Sequence, residues 1–172
     1  MKKTKKLAFS GIMTALCVVI LFLGSFFSTL DLSLSAISGM LMVLAVIELG
    51  DRHAWGIFAA VSILGLLIIP TKYTAFFFAA FLGWYPIAKR YFERLHPVLA
   101  WAVKISAVNV CLAVAIWFSK AFFVLPEGEF DFGYLLFGLA NLTFVLYDIC
   151  LSKLILLYIV KLRKILKLNK LL

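Results

Sequence analysis

Charged and amide side chains lie inside two long apolar runs of this chain, where a lipid environment makes them costly unless they find partners. Lys104 belongs to the fifth apolar run and Asp148 to the sixth. If the two runs form antiparallel helices, these residues lie at a similar depth and predict an ion pair or, alternatively, a proton or ion relay. Asn109 and Asn141 fall near the middle of the same runs, where their amides favour hydrogen bonds between helices.

A second group of polar and aromatic side chains falls toward the opposite ends of the runs. At about 100° per residue, Asp31, Ser35 and Ser38 share one helical stripe. Aromatic walls with a few polar groups are typical of a small-molecule pocket, whereas Trp and Tyr at this depth are equally typical of an interfacial belt. The candidate substrate-binding residues are Asp31, Ser35, Ser38, Lys72, Tyr73, Asn109, Trp117, Lys120, Tyr134 and Asn141.

The composition places these residues in a membrane. Hydrophobic residues make up 65% of the 172 residues, and the mean hydropathy is +1.11, far above the average of soluble domains. A spanning helix needs roughly 17–25 residues, so we predict one all-α domain, a bundle of six transmembrane helices. The predicted helices cover about 7–29, 32–49, 54–70, 73–89, 98–124 and 132–160.

The third and fourth of these helices are the shortest. A four-helix arrangement with a re-entrant hairpin at 54–89 is therefore the alternative. Gly83 and Pro86 also predict a loosened or kinked end of the fourth helix.

Lysine and arginine accumulate on one side of the predicted bundle. If both termini are cytoplasmic, nearly all basic residues near the helix ends fall inside, and Lys72 is the exception in an outside loop. The net charge of +9 therefore indicates the topology of a cell-membrane protein and does not indicate nucleic-acid binding. The basic tail at 161–172 is predicted to lie on anionic membrane lipids. The connection "AKRYFERLHP" predicts either an interfacial helix or a docking surface for a partner.

No catalytic residue, metal or cofactor is predicted. His53 and His96 lie in polar connections without a neighbouring nucleophile or a metal-binding motif. Cys17, Cys111 and Cys150 are isolated inside apolar runs, so their spacing gives neither a metal site nor a disulfide framework. An ATP-driven role would require the ATPase of another chain.

The first helix carries small residues in its N-terminal half. Ala8, Gly11 and Ala15 fall within about 60° of one another around the helix axis. Small residues let helix backbones approach closely in lipid, so this face predicts a helix contact near the cytoplasmic surface. The contacting helix is either internal, such as the second or sixth, or belongs to a partner subunit.

In its layout and in the local sequences "KKLAFSGIMTALCVVILFLG", "LDLSLSAISGMLMVLAVIELG" and "FLGWYPIAKRYF", the chain resembles the substrate-binding S components of energy-coupling factor (ECF) transporters. The resemblance implies six helices with cytoplasmic termini, capture of a small solute near the outer face, and docking to the transmembrane T component, whose ATPase subunits power transport. By position, Ala8, Gly11 and Ala15 match the small-residue face that contacts the T component, although Ile12 interrupts the usual alanine spacing. The resemblance does not identify the substrate.

Two other functions fit the same features. A structural membrane protein similar to the small cell-shape protein MreD would have a similar size and helix number and would hold partners on both sides of the membrane. A stand-alone secondary transporter would use Asp148 to couple an ion. A solvated outer cavity would favour the solute binder, a closed bundle the scaffold, and a water path to Asp148 the secondary transporter.

Overall fold

The computed structural model describes residues 3–27, 30–70, 72–122 and 133–162, and every regular element in these ranges is helical. The all-α prediction is therefore confirmed for the described part of the chain. The elements are α1 (Lys3–Gly24), α2 (Asp31–Leu49), α3 (Asp51–Ile68), α4 (Lys72–Phe77), a π-helical turn (Phe78–Leu82), α5 (Tyr85–Phe92), α6 (Pro97–Phe122), α7 (Gly133–Leu157) and a second π-helical turn (Tyr158–Leu162).

Five stretches of helix in the described residues are long and apolar enough to cross a membrane, which indicates a multi-pass membrane protein. They are Thr4–Gly24, Asp31–Leu49, Asp51–Ile68, Pro97–Val114 and Phe137–Lys161. The helices α2, α3, α6 and α7 begin and end near the predicted ones, and α1 begins and ends earlier along the chain than the sequence predicts.

The predicted spanning helix at 73–89 is not one continuous α-helix. The chain there forms the six-residue α4, the π-helical turn, a turn at Gly83 and Trp84, and then α5. Pro86 has no backbone N–H to continue the α-helical pattern, and Gly83 is a poor helix former. The Gly83 N–H donates to the Phe78 carbonyl oxygen at 2.8 Å, which closes the wider π-type ring. This segment is not among the five apolar spans.

The first of two compact units comprises residues 1–89 and 150–172. In its described part, one face of each long helix is buried, with apolar side chains recurring every third or fourth position. These core residues include Met13, Cys17 and Leu21 of α1 and Ala54, Ile57 and Val61 of α3. Gly50 connects α2 directly to α3 with a φ of 84°, a conformation that a side chain makes unfavourable.

Two glycines bring α4 close to the long helices of this unit. A Cβ at Gly65 of α3 would lie 3.3 Å from Ala75 Cβ, and a Cβ at Gly24 of α1 would lie 2.7 Å from Thr74 Cγ2. The missing side chains thus allow Ala75 and Thr74 to sit against α3 and α1. Thr74 is fully buried as a result.

The second unit comprises residues 90–149. On α6 the buried side chains are Ala100, Lys104 and Val108, and on α7 they are Phe144, Tyr147 and Asp148. Val110, Val114 and Trp117 of α6 are exposed apolar side chains, as lipid-facing residues are expected to be. The core described for this unit is therefore narrow and contains two charged residues.

Candidate functional site

Lys104 of α6 and Asp148 of α7 are in contact inside the second unit. Lys104 Nζ lies 3.1 Å from Asp148 Oδ2 and 3.3 Å from Oδ1, so the ammonium donates to both carboxylate oxygens. The two side chains are only 6% and 5% exposed. A buried charge without its partner would be costly, and this two-oxygen geometry offsets the cost of removing both groups from water. The role of Asp148 in a relay stays a prediction.

Two further side chains complete the surroundings of Lys104, and the sequence did not single out either. The ring centroid of Trp101 lies 5.3 Å from Lys104 Nζ, within the range of a cation–π contact. Glu93 Oε1 lies 3.7 Å from the same nitrogen, and its side chain is 47% exposed. The i, i+3 spacing on α6 could have identified Trp101. The position of Glu93 depends on the turn between α5 and α6, which the spacing of residues does not fix.

Asn109 and Asn141 join α6 to α7 at a second level. Asn141 Nδ2 donates to Asn109 Oδ1 at 2.9 Å and to the Phe137 carbonyl oxygen at 2.8 Å. The bond to Asn109 is of the kind expected between membrane helices, and the bond to Phe137 lies within α7. Asn141 Oδ1 is buried and has no donor among the described residues, so both of its acceptor positions are unused there.

In the first unit, Asp31 and Ser35 of α2 are bonded to Thr74 of α4. Thr74 Oγ1 donates to Asp31 Oδ1 at 2.8 Å. Ser35 Oγ lies 2.8 Å from the Thr74 carbonyl oxygen and 2.7 Å from the Asp31 carbonyl oxygen, and its single proton can be donated to one of them at a time. Ser35 and Thr74 are fully buried. We call Asp31, Ser35 and Thr74 the α2–α4 cluster. No pattern in the sequence points to Thr74.

Ser38 and Lys72, also predicted to bind substrate, have protein partners in this conformation. Ser38 is fully buried against α1, with its Oγ 3.4 Å from the Cys17 carbonyl oxygen. Lys72 Nζ donates to the carbonyl oxygens of Leu66 and Ile69 at 2.7 and 2.8 Å. The last carbonyls of a helix lack partners within it, so Lys72 caps the C-terminal end of α3.

The remaining candidate substrate-binding residues are either exposed or have side chains that are not described. Trp117 is largely exposed on α6, which suits an interfacial belt as well as a pocket wall. The side chains of Tyr73, Lys120 and Tyr134 lie outside the described part of the structure. The described contacts therefore bring together Asp31 with Ser35 and Asn109 with Asn141.

The small-residue face of α1 is uncovered. Ala8, Gly11 and Ala15 are exposed, and a Cβ at Gly11 would meet nothing within 4 Å. The buried residues Met13 and Cys17 lie on the opposite side of α1, roughly 160° away around the axis. Packing against another helix in the described part of its own unit therefore does not account for these small residues.

Comparison of the chain with models of protein families, with curated proteins and with solved structures finds no match in any of the three. The resemblance to the ECF S components therefore depends on the layout and local sequences given above.

Proposed function

We propose that the chain is a substrate-binding membrane subunit, similar to the S components of ECF transporters, which captures a small solute on the outer side of the cell membrane. A separate T component with its ATPase subunits then powers uptake. In this proposal both termini are cytoplasmic, and the interrupted segment at 72–92 provides a sixth crossing. The observation that carries the proposal is the exposed small-residue face of α1.

Helices in lipid gain no hydrophobic free energy from meeting one another, so close association depends on small residues that let backbones approach. Ala8, Gly11 and Ala15 provide such a surface, and it lies opposite the face by which α1 packs into its own unit. A partner helix that docks there would bury backbone and methyl surface without displacing the described contacts of α1 within its own unit. This favours a subunit that works in a complex.

The interrupted segment at 72–92 supports a solute-binding role. Irregular backbone at membrane depth is tolerated where protein or a water-filled cavity surrounds it, and transporters commonly place discontinuous helices at their solute sites. Thr74, Phe78 and Tyr85 of this segment are fully buried. If α4 moves away from α2, the oxygens of the α2–α4 cluster become available to a solute. We therefore place the substrate site at this end of α2.

The experiment that tests the proposal compares two glycine variants in the full chain. Gly11→Leu adds bulk to the small-residue face, and Gly56→Leu adds the same bulk on α3, where a Cβ also meets nothing within 4 Å. Both variants should fold and unfold at the wild-type temperature. We expect the wild type and Gly56→Leu to co-purify with partner chains and a bound small molecule, and Gly11→Leu to lose the partner chains while it keeps the small molecule.

A Gly11→Leu variant that retains its partners would contradict docking on α1. Co-purification of cytoplasmic and periplasmic proteins without any ATPase or small molecule would instead favour the scaffold function. The satisfied hydroxyls of Ser35 and Thr74 would then be permanent packing contacts.

A stand-alone secondary transporter is the second candidate, favoured by the buried Lys104–Asp148 pair. Intramembrane ionisable side chains mark ion pathways and proton relays in pumps and transporters. Solute uptake by the purified chain alone in vesicles, driven by an ion gradient and abolished in Asp148→Asn, would support this function. Uptake that requires ATP and other subunits would exclude it.

A further inference from the structure

The end of α5 and the turn that follows it, residues 90–96, present cationic and apolar side chains together. We call these residues the 90–96 segment. Arg90, Arg94 and His96 are exposed, and Tyr91 and Leu95 are each 45% exposed. The function proposed above does not use this surface.

Arg94 is positioned on this surface by Tyr91. The guanidinium carbon of Arg94 lies 5.7 Å from the Tyr91 ring centroid, and the Arg94 backbone N–H donates to the Tyr91 carbonyl oxygen at 3.2 Å. A guanidinium has five N–H donors, so a contact with one ring leaves donors for oxygen acceptors. Those N–H groups match the geometry of a phosphate.

The acidic side chain of the segment is directed toward an internal cation. Glu93 Oε1 lies 3.7 Å from Lys104 Nζ, so part of its negative charge is compensated by a lysine that is itself buried. Arg94 is therefore an exposed cation beside a carboxylate that already faces an internal lysine. An anionic occupant complements this surface better than a neutral or cationic one.

The segment directly precedes the membrane span that begins at Pro97. In the first turn of α6, Val98 and Leu99 are 72% and 58% exposed. Cations at the end of a span and apolar side chains just inside it match the two parts of a phospholipid, because the headgroup lies at the interface and the acyl chains lie below it.

We propose that the 90–96 segment and the first turn of α6 bind an anionic phospholipid. Arg94 contacts the headgroup phosphate, and Val98 and Leu99 contact the acyl chains. Anionic lipids are concentrated in the cytoplasmic leaflet, which is the side predicted for this connection. The site does not depend on the transport function, and a scaffold would use it equally well.

The test measures lipid binding to the detergent-purified full chain by native mass spectrometry, with added phosphatidylglycerol or phosphatidylcholine. The wild type should bind phosphatidylglycerol more tightly. Arg94→Gln should weaken phosphatidylglycerol binding about fivefold, the effect of one basic residue near an anionic surface, and should leave phosphatidylcholine binding unchanged. The matched control is Arg52→Gln, since Arg52 is an exposed arginine at the start of α3. It should retain the wild-type preference, and Arg94→Lys should retain most of it.

Three results would overturn the proposal, given that all variants unfold at the wild-type temperature. The first is equal binding of the two lipids by the wild type. The second is an equal loss of phosphatidylglycerol binding in Arg94→Gln and Arg52→Gln, which would indicate a general charge effect. The third is the loss of a co-purifying protein from Arg94→Gln with lipid binding intact, which would make the segment a protein-docking surface.

Discussion

Lys104 and Asp148 depend on one another because each is nearly buried and their opposite charges lie 3.1 Å apart. We predict that Lys104→Met and Asp148→Asn each lower the free energy of unfolding by roughly 3–5 kcal/mol, the usual cost of breaking a buried pair. The double variant should lose clearly less than the sum of the singles. Glu93→Gln, which changes a half-exposed group, should cost less than about 1 kcal/mol. Denaturation in mixed detergent micelles measures all four variants, and strict additivity would show that the pair does not couple.

Ser35 distinguishes helix packing from solute binding in the α2–α4 cluster. Its hydroxyl is fully buried and within 2.8 Å of the Thr74 carbonyl oxygen, so Ser35→Ala should lower the free energy of unfolding by about 1 kcal/mol. Ser33→Ala removes an exposed hydroxyl from the same helix and should change it by less than about 0.5 kcal/mol. Thermal unfolding in detergent checks both. A Ser35→Ala variant of unchanged stability that binds solute more weakly would mean that the hydroxyl serves the solute.

Some of these residue contacts could be read from the sequence, and others could not. The pairing of Lys104 with Asp148 follows from their similar depth in the membrane and from the free-energy cost of an unpaired charge there, since two charges in adjacent apolar runs have few other partners. Thr74 and Glu93 gave no such signal, because one is a common threonine and the other lies in a polar connection. Their importance depends on where α4 and the turn after α5 are placed, and hydropathy carries no information about that.

Gly24 is the point at which α1 accommodates α4. A Cβ there would lie 2.7 Å from Thr74 Cγ2, and Thr74 cannot rotate freely because its hydroxyl is bonded to Asp31. Gly24→Ala should therefore lower the free energy of unfolding by about 1–3 kcal/mol, as overpacking does. Gly56→Ala should be neutral or stabilising by up to about 1 kcal/mol, because its Cβ meets nothing within 4 Å and alanine favours a helix. Thermal unfolding compares the two variants. Equal stability of Gly24→Ala and Gly56→Ala would show that α4 shifts away from α1 without lowering the free energy of unfolding.

Hydropathy predicted the long helices of the chain but not the form of the segment at 72–92. An apolar run predicts a segment buried in the membrane. Five of the runs are long, and each forms one continuous helix, namely α1, α2, α3, α6 and α7. In the interrupted segment, local backbone chemistry decides the form. Pro86 removes a donor, and the Gly83 N–H bonds to the fifth residue before it instead of the fourth. A window average over apolar residues does not detect either feature.

The path of this interrupted segment decides the topology of the whole molecule. Five crossings would put the basic residues at the start of α1 and those after α7 on opposite sides of the membrane, whereas six would put them on the same side. Lys5, Lys6 and Lys161 lie at these two ends, and the sequence after Lys161 is also basic. Because lysine and arginine are retained in the cytoplasm, the charge distribution favours six crossings, with the segment passing through the bilayer.

Cysteine labelling on either side of the segment tests this topology. In a variant without Cys17, Cys111 and Cys150, single cysteines are placed at Pro70 and His96, which are both exposed. A crossing segment predicts that a membrane-impermeant maleimide labels the cysteine at 70 in intact cells, and labels the one at 96 only after permeabilisation. A cysteine at Lys161, exposed at the end of α7, should behave like the one at 96. If 96 and 161 are both labelled in intact cells, the segment is re-entrant. The 90–96 segment would then face the outer leaflet, and the basic end of the chain would lie outside against the positive-inside rule.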